Sequence, residues 1–339
     1  MKIAIRADAS SRIGSGHVMR MLSLAKALKK RGCDVYFLTF NLVENLHHII
    51  SSEFILIELT DNKLNTLISI LSSEKFDWLI IDHYEISNID EAYIKKRLPI
   101  NMLCVDDNFM PHDCDILLNQ NIYATQVRYK DLTASSTKLL TGLTYALVRE
   151  EFQIYKKHPR PHRAPPKLLL TLGGSDPENL LLHILNALRN VETAYVATII
   201  CGPLNQHLHY IKSLAAPISH INVIQKTSEM ATLMYQHDCA ITAAGSSTIE
   251  SLIMQLPSIV VPIAENQMEV ADTLHKKHLA IKAAWTQKSP LGEMSKSISN
   301  FLSQGYKELQ EPLEKLNIMP FGADLVAEEI MTYKGKNAR

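Results

Sequence analysis

Short apolar runs alternate with segments of helical period along almost the whole sequence, and the alternation occurs twice, on either side of KKHPRPHRAPPK (156–167). Apolar strands each followed by a turn and a helix form a parallel sheet with helical crossovers, so the pattern predicts two α/β domains. Strands are expected near 3–5, 35–40, 78–81 and 102–105, then near 168–172, 196–200, 221–224, 239–242 and 258–262. The clearest helix is 17–30, in which Met19, Leu22, Ala25 and Leu28 share a stripe close to the 3.6-residue period. Residues from 300 onward read as helical. Four prolines keep 156–167 out of both helix and sheet, so it is expected to link a domain 1–155 to a domain 168–333, with 334–339 as a frayed tail. Two Rossmann-like α/β domains hold a ligand in the cleft between them, where the loops at the carboxyl ends of the strands converge.

Bulk properties narrow the partners. The 339 residues are 46% hydrophobic, and 35 basic residues balance 35 acidic ones, so nothing draws the chain to nucleic acid or an anionic membrane surface. The longest apolar runs fall far short of a bilayer span, and Arg6 and Asp8 interrupt the opening residues where a signal peptide needs an apolar run. Five scattered cysteines without a close pair fit a reducing compartment. A cytoplasmic monomer with no nucleic-acid or membrane partner is expected.

Three strand-to-helix turns could carry chemistry. In RIGSGHVMR, Gly14 and Gly16 bracket the start of a helix and His17 stands in its opening turn. Glycine there lets a ligand approach the backbone, and the positive end of a helix favours anions and disfavours a charged imidazole, which suits a general base. The same residues also describe a tight turn with a surface histidine. Asp8 and Arg20 could orient His17 or bind substrate, or be a solvated carboxylate and a helix-face cation. In LTLGGSDPENLL, Gly174 and Ser175 precede Asp176-Pro177, which has the form of a helix cap. Exposed amides at such a start suit a phosphate. In ITAAGSSTIE, Gly245 and Ser246 could donate to a diphosphate, while Glu250 fits either a capping box with Ser247 or a carboxylate gripping ribose hydroxyls. AENQME opens a further helix near Asn266.

Asp82, His83, Asp106, Asp107, His112 and Asp113 follow two strands and could bind a metal, but no zinc or calcium spacing appears, and no metal or cofactor is expected. Tyr84, polar and at a strand end, is a candidate substrate ligand.

The segments IGSGHVMR, IIDHYEI, DDNFMPHDCDILLNQNIY and GLTYALVREEF resemble the signatures of the UDP-sugar hydrolases of pseudaminic acid biosynthesis. The resemblance runs from residue 1 to about 279 and implies a glycosyltransferase-B fold, similar to that of the N-acetylglucosamine transferase of peptidoglycan synthesis. It implies hydrolysis of UDP-2,4-diacetamido-2,4,6-trideoxy-beta-L-altropyranose by water at the anomeric carbon, with inversion and without metal. It further implies His17 at the attacking water, Tyr84 near the sugar, Glu250 on the ribose and Asn266 near the diphosphate. Gly16, Gly174, Ser175, Gly245 and Ser246 join these on physical grounds. The AAGSS turn departs from the more serine-rich turn of some members, and flagellin glycosylation is a downstream use implied by the family. A UDP-sugar glycosyltransferase of the same fold is the main alternative. A nucleotide-sugar binding protein without turnover and a metal-dependent diphosphatase are the others.

Overall fold

The computed structural model describes residues 1–334 except Ser11, 155–162, Ser175, Pro177, 203–204, Lys226, Ser228 and Gln287. Two parallel sheets organise it. The first contains β1 (Lys2–Ala7), β2 (Asp34–Phe40), β3 (Ile55–Leu59), β4 (Trp78–Asp82), β5 (Asn101–Val105), β6 (Ile116–Asn119) and β7 (Lys138–Thr141). The second contains β8 (Lys167–Thr171), β9 (Val196–Cys201), β10 (Ile221–Gln225), β11 (Cys239–Ala243), β12 (Ser258–Val261) and β13 (Ile281–Lys282). Their orders are β3-β2-β1-β4-β5-β6-β7 and β10-β9-β8-β11-β12-β13, which is one Rossmann-like winding used twice. In each sheet the order reverses beside the first strand, between β1 and β4 and between β8 and β11.

The central strands are covered on both faces, which explains why they read as unbroken apolar runs. β4 (WLIID) and β11 (CAITA) are buried at every position. Removing such side chains from water is worth about 1.5–3 kcal/mol each, so strand register and core placement are fixed together. The helix Gly16–Lys30 buries Val18, Met21, Leu22, Ala25 and Leu28, and Lys29 and Lys30 complement its carboxyl end. Its buried stripe is shifted from the expected one, with Val18 and Met21 inside and Met19 only partly so. Ser87 and Asp90 form a capping box at the helix Asn88–Arg97.

The chain divides into two compact units that differ from the expected domains at both boundaries. Met1–Val148 forms the first together with the segment beginning at Phe321, and Arg149–Pro320 forms the second. The carboxyl-terminal helix Gly322–Thr332 therefore belongs with the first sheet. Gly322 explains how it docks: a Cβ there would stand 2.3 Å from the Ala146 carbonyl oxygen, so only glycine permits the approach. Arg31 pairs with Asp324 at 2.8 Å, Lys138 pairs with Glu329, and Tyr333 meets the Trp78 ring edge-on at 5.4 Å. At the other boundary, Arg149 and Glu151 bind partners in the second unit, so residues from 149 belong there. Of the expected linker, 156–162 lies outside the described residues, as does the tail beyond Lys334. Among the described residues, no helix is long and apolar enough to cross a membrane. All five cysteines are buried, and none of them is in a disulfide.

Candidate active site

The first unit gathers its polar side chains where β1 and β4 lie side by side, with Ala7 opposite Asp82. His17 is the second residue of the helix that follows β1, and Asp82 ends β4. The His17 Nδ1 lies 2.6 Å from Asp82 Oδ1. An ionised carboxylate only accepts, so Nδ1 carries the proton and Nε2 is the nitrogen able to take one. Asp82 is itself gripped by Arg20, one helical turn past His17, through Nε to Oδ2 and Nη2 to Oδ1, both at 2.6 Å. Burial alone would raise the Asp82 carboxyl, but Arg20 and His17 beside it hold it well below the usual carboxylate range.

The same guanidinium reaches Asp107, just beyond β5, from Nη1 at 3.1 Å and Nη2 at 2.9 Å. Asp107 also accepts from the Tyr84 hydroxyl at 3.0 Å and from Asn121 Nδ2 at 3.0 Å. The Tyr84 ring meets the His17 ring edge-on, with centroids 4.8 Å apart. Desolvation, with the Asp107 charge next to it, pushes the Tyr84 hydroxyl well above its ordinary value, so it remains a neutral donor. Tyr84 as a whole is still 53% exposed, which leaves ring surface for a ligand. Gly16 is open on its outer side, with no atom within 4 Å of where a Cβ would stand.

The acidic and histidine residues after β4 and β5 separate into distinct groups. Asp82 and Asp107 serve Arg20, whereas Asp113 pairs with Lys95 at 2.9 Å. Asp8 does not orient His17. It is buried and bonded to Arg6, to His83 Nε2 at 3.1 Å and to the Phe40 amide at 2.8 Å. Glu91, Cys104 and His112 bring potential ligand atoms within 4.8 Å of one another, but Glu91, the Cys104 thiol and His112 Nδ1 are already bonded among themselves. Glu91 Oε1 accepts from His112 Nδ1 at 2.8 Å and from the Cys104 thiol at 3.1 Å, and Oε2 accepts from the Asp113 amide at 2.6 Å. Burial alone would lower His112, yet Asp106 and Glu91 push it up to about 10. The imidazolium is itself the cation of this cluster.

In the second unit the corresponding turns leave the adjacent strands β8 and β11, which align Thr171 with Thr242. Gly173 adopts φ +88°, and Gly202 at the end of β9 presses on this turn so closely that a Cβ would stand 2.2 Å from the Gly173 carbonyl oxygen. Asp176 caps the following helix, Leu180–Leu188, through bonds from the Leu180 and Leu181 amides at 2.9 Å each. That helix starts later than Asp176-Pro177 suggested, and its own carboxylate occupies two of its first amides. Gly174 remains on the turn, and Ser175 lies outside the described residues.

Gly245 precedes the helix Ser246–Ile253, in which Ser246 is exposed. The Gln267 side chain lies 3.4 Å from where a Gly245 Cβ would stand and accepts from the Ile263 amide at 3.0 Å, so the Asn266-Gln267 turn rests against the glycine turn. Glu250 forms no capping box. The helix has no side-chain cap, and Glu250, 7% exposed, pairs with Arg149.

Sequence reading brought forward His17, Tyr84 and the glycine turns but missed Asp82 and Asp107 as partners of Arg20, and missed Arg149. For Asp82 a signal existed: a carboxylate closing the buried run WLII stands at the strand end where ligands bind.

Residues 168–324 match the glycosyltransferase family 28 C-terminal domain. The UDP-2,4-diacetamido-2,4,6-trideoxy-beta-L-altropyranose hydrolase of Campylobacter jejuni is 34% identical over 277 residues, covering 82% of this chain and 97% of that protein. A Helicobacter pylori protein named pseudaminic acid cytidylyltransferase and UDP-2,4-diacetamido-2,4,6-trideoxy-beta-L-altropyranose hydrolase is 28% identical over 57% of this chain and 35% of its own. The crystal structure of Acinetobacter baumannii MurG superposes with a TM-score of 0.68 at 15% identity, covering 98% of this chain and 99% of MurG. Together with the two windings, these likenesses place the fold in the glycosyltransferase-B class.

Proposed function

This chain belongs to the family of the UDP-2,4-diacetamido-2,4,6-trideoxy-beta-L-altropyranose hydrolase, and we propose that it hydrolyses that nucleotide sugar to the free sugar and UDP, a step of pseudaminic acid biosynthesis. The observation that carries the catalytic reading is the 2.6 Å bond between His17 Nδ1 and Asp82. With Nδ1 bonded to the carboxylate, Nε2 is left to accept a proton beside a half-exposed tyrosine ring, which supports this reading.

Water attacks the anomeric carbon from the face opposite the diphosphate. Its proton passes to His17 Nε2, the bond from the anomeric carbon to the β-phosphate oxygen breaks, and the configuration inverts. UDP departs with its charge spread over phosphate oxygens, so backbone donors can stabilise it without a general acid. Gly174, Ser175, Gly245, Ser246 and Asn266 act as the diphosphate cradle, Glu250 holds the ribose, and Gly16 and Tyr84 contact the sugar. No step in this scheme calls on a metal or cofactor, and the enzyme acts as a cytoplasmic monomer.

The family 28 match also suits a transferase, which would pass the sugar to an acceptor. Purified protein given the UDP-sugar and no acceptor separates the two readings. Hydrolysis predicts stoichiometric UDP and free sugar, whereas negligible UDP release would favour the transferase.

A further inference from the structure

The segment VREEF joins the two units in sequence, and nothing in the chemistry above uses it. Its arginine is held on three sides. Arg149 Nε and Nη2 both reach Glu250 Oε1, at 3.0 and 2.9 Å. Its Nη1 lies 2.9 Å from Glu151 Oε1, and the guanidinium carbon sits 5.3 Å from the centre of the fully buried Phe152 ring. Glu151 is anchored in turn, because its Oε2 accepts the Ala231 amide at 3.1 Å in the first turn of the helix Met230–Gln236. A planar guanidinium seated this way has one available orientation, which a flexible lysine would lack.

The consequence falls on Glu250. A carboxylate only 7% exposed is costly to keep charged unless a cation accompanies it. Both Arg149 bonds fall on Oε1, and among the described residues Oε2 accepts none. Arg149 therefore stabilises the charge, fixes the carboxylate plane and leaves one oxygen to receive hydroxyl donors. We infer that Arg149 is a positioning residue that presents Glu250 Oε2 to the ribose hydroxyls of UDP. This rests on the reading of Glu250 as the ribose ligand, and it explains how a buried glutamate in the middle of a helix can serve as one.

The test measures binding of UDP and of 2′-deoxy-UDP to the full chain by calorimetry. Wild type should prefer UDP by about 10- to 100-fold, the range for a hydrogen bond to a charged group. Glu250→Gln should erase most of that preference. Arg149→Gln should erase it too, with kcat for the UDP-sugar falling much less than kcat/KM, and the double variant should bind UDP no more weakly than either single one. Arg149→Lys keeps a charge without the fork and should retain only part of the preference, which keeps the test available if Arg149→Gln folds poorly. A merely structural role would weaken both ligands equally and leave their ratio intact. If Glu250→Gln abolishes the preference while both Arg149 variants keep it, the inference is overturned and the ribose role of Glu250 stands. If Glu250→Gln keeps the preference, the ribose reading falls, and the inference with it.

Discussion

His17 and Asp82 meet through a 2.6 Å bond between Nδ1 and Oδ1, joining the helix after β1 to the end of β4 at the reversal point of the first sheet. Asparagine at position 82 would offer an amide N–H to Nδ1 and turn the imidazole into the tautomer whose Nε2 already carries a proton. Asp82→Asn should therefore lower kcat by about 10³- to 10⁴-fold with little change in KM, read from single-turnover UDP release. A loss below 10-fold would remove Asp82 from the proton path.

Arg20 bridges Asp82 and Asp107, so its removal strands two buried carboxylates at once. Arg20→Met should destabilise the protein by about 3–5 kcal/mol, measured as a shift of the urea unfolding midpoint, and should also depress activity. Arg20→Lys should recover part of the stability but little of the rate, because a single ammonium cannot hold both carboxylates in plane.

For Tyr84 the hydroxyl and the ring separate cleanly. Tyr84→Phe keeps the edge contact with His17 and loses the hydroxyl's bond to Asp107. Stability should fall by about 1 kcal/mol, whereas Tyr84→Ala should raise KM for the UDP-sugar at least about 10-fold as the ring surface proposed to face the sugar disappears. Equal KM values for the two variants would show that the ring does not face the sugar.

Much of this architecture was legible in the residues because buried parallel strands write themselves as continuous apolar runs. LLLT and CAIT were readable as strands, while Ile116–Asn119 and Ile281–Lys282, only four and two residues long, were not. The glycine turns were readable too, since Gly14 and Gly173 need positive φ. Pairings between distant residues were not. Nothing local says that Arg20 faces Asp107 or that Arg149 faces Glu250, because topology alone brings them together. The docking of Gly322–Thr332 on the first unit was hidden for the same reason, its cue being one glycine whose missing side chain makes room for Ala146.

His112 offers a pH test separate from catalysis. Its imidazole is held between Glu91 and Asp106, and they push its value up from 6.5 to about 10. A raised value means the stabilisation is fully present below about pH 6.5 and is lost as pH rises through 10. His112→Gln should thus be less stable than wild type by about 3 kcal/mol near pH 6.5, and the gap should narrow by pH 10. A gap that stays constant across that range would show that His112 is uncharged in the folded protein.

The central claim is that water, activated at His17, attacks the anomeric carbon. Running the reaction to completion in water enriched in oxygen-18 and weighing both products by mass spectrometry tests it most directly. One heavy oxygen in the free sugar and none in UDP is the predicted result, and label in UDP would contradict the mechanism.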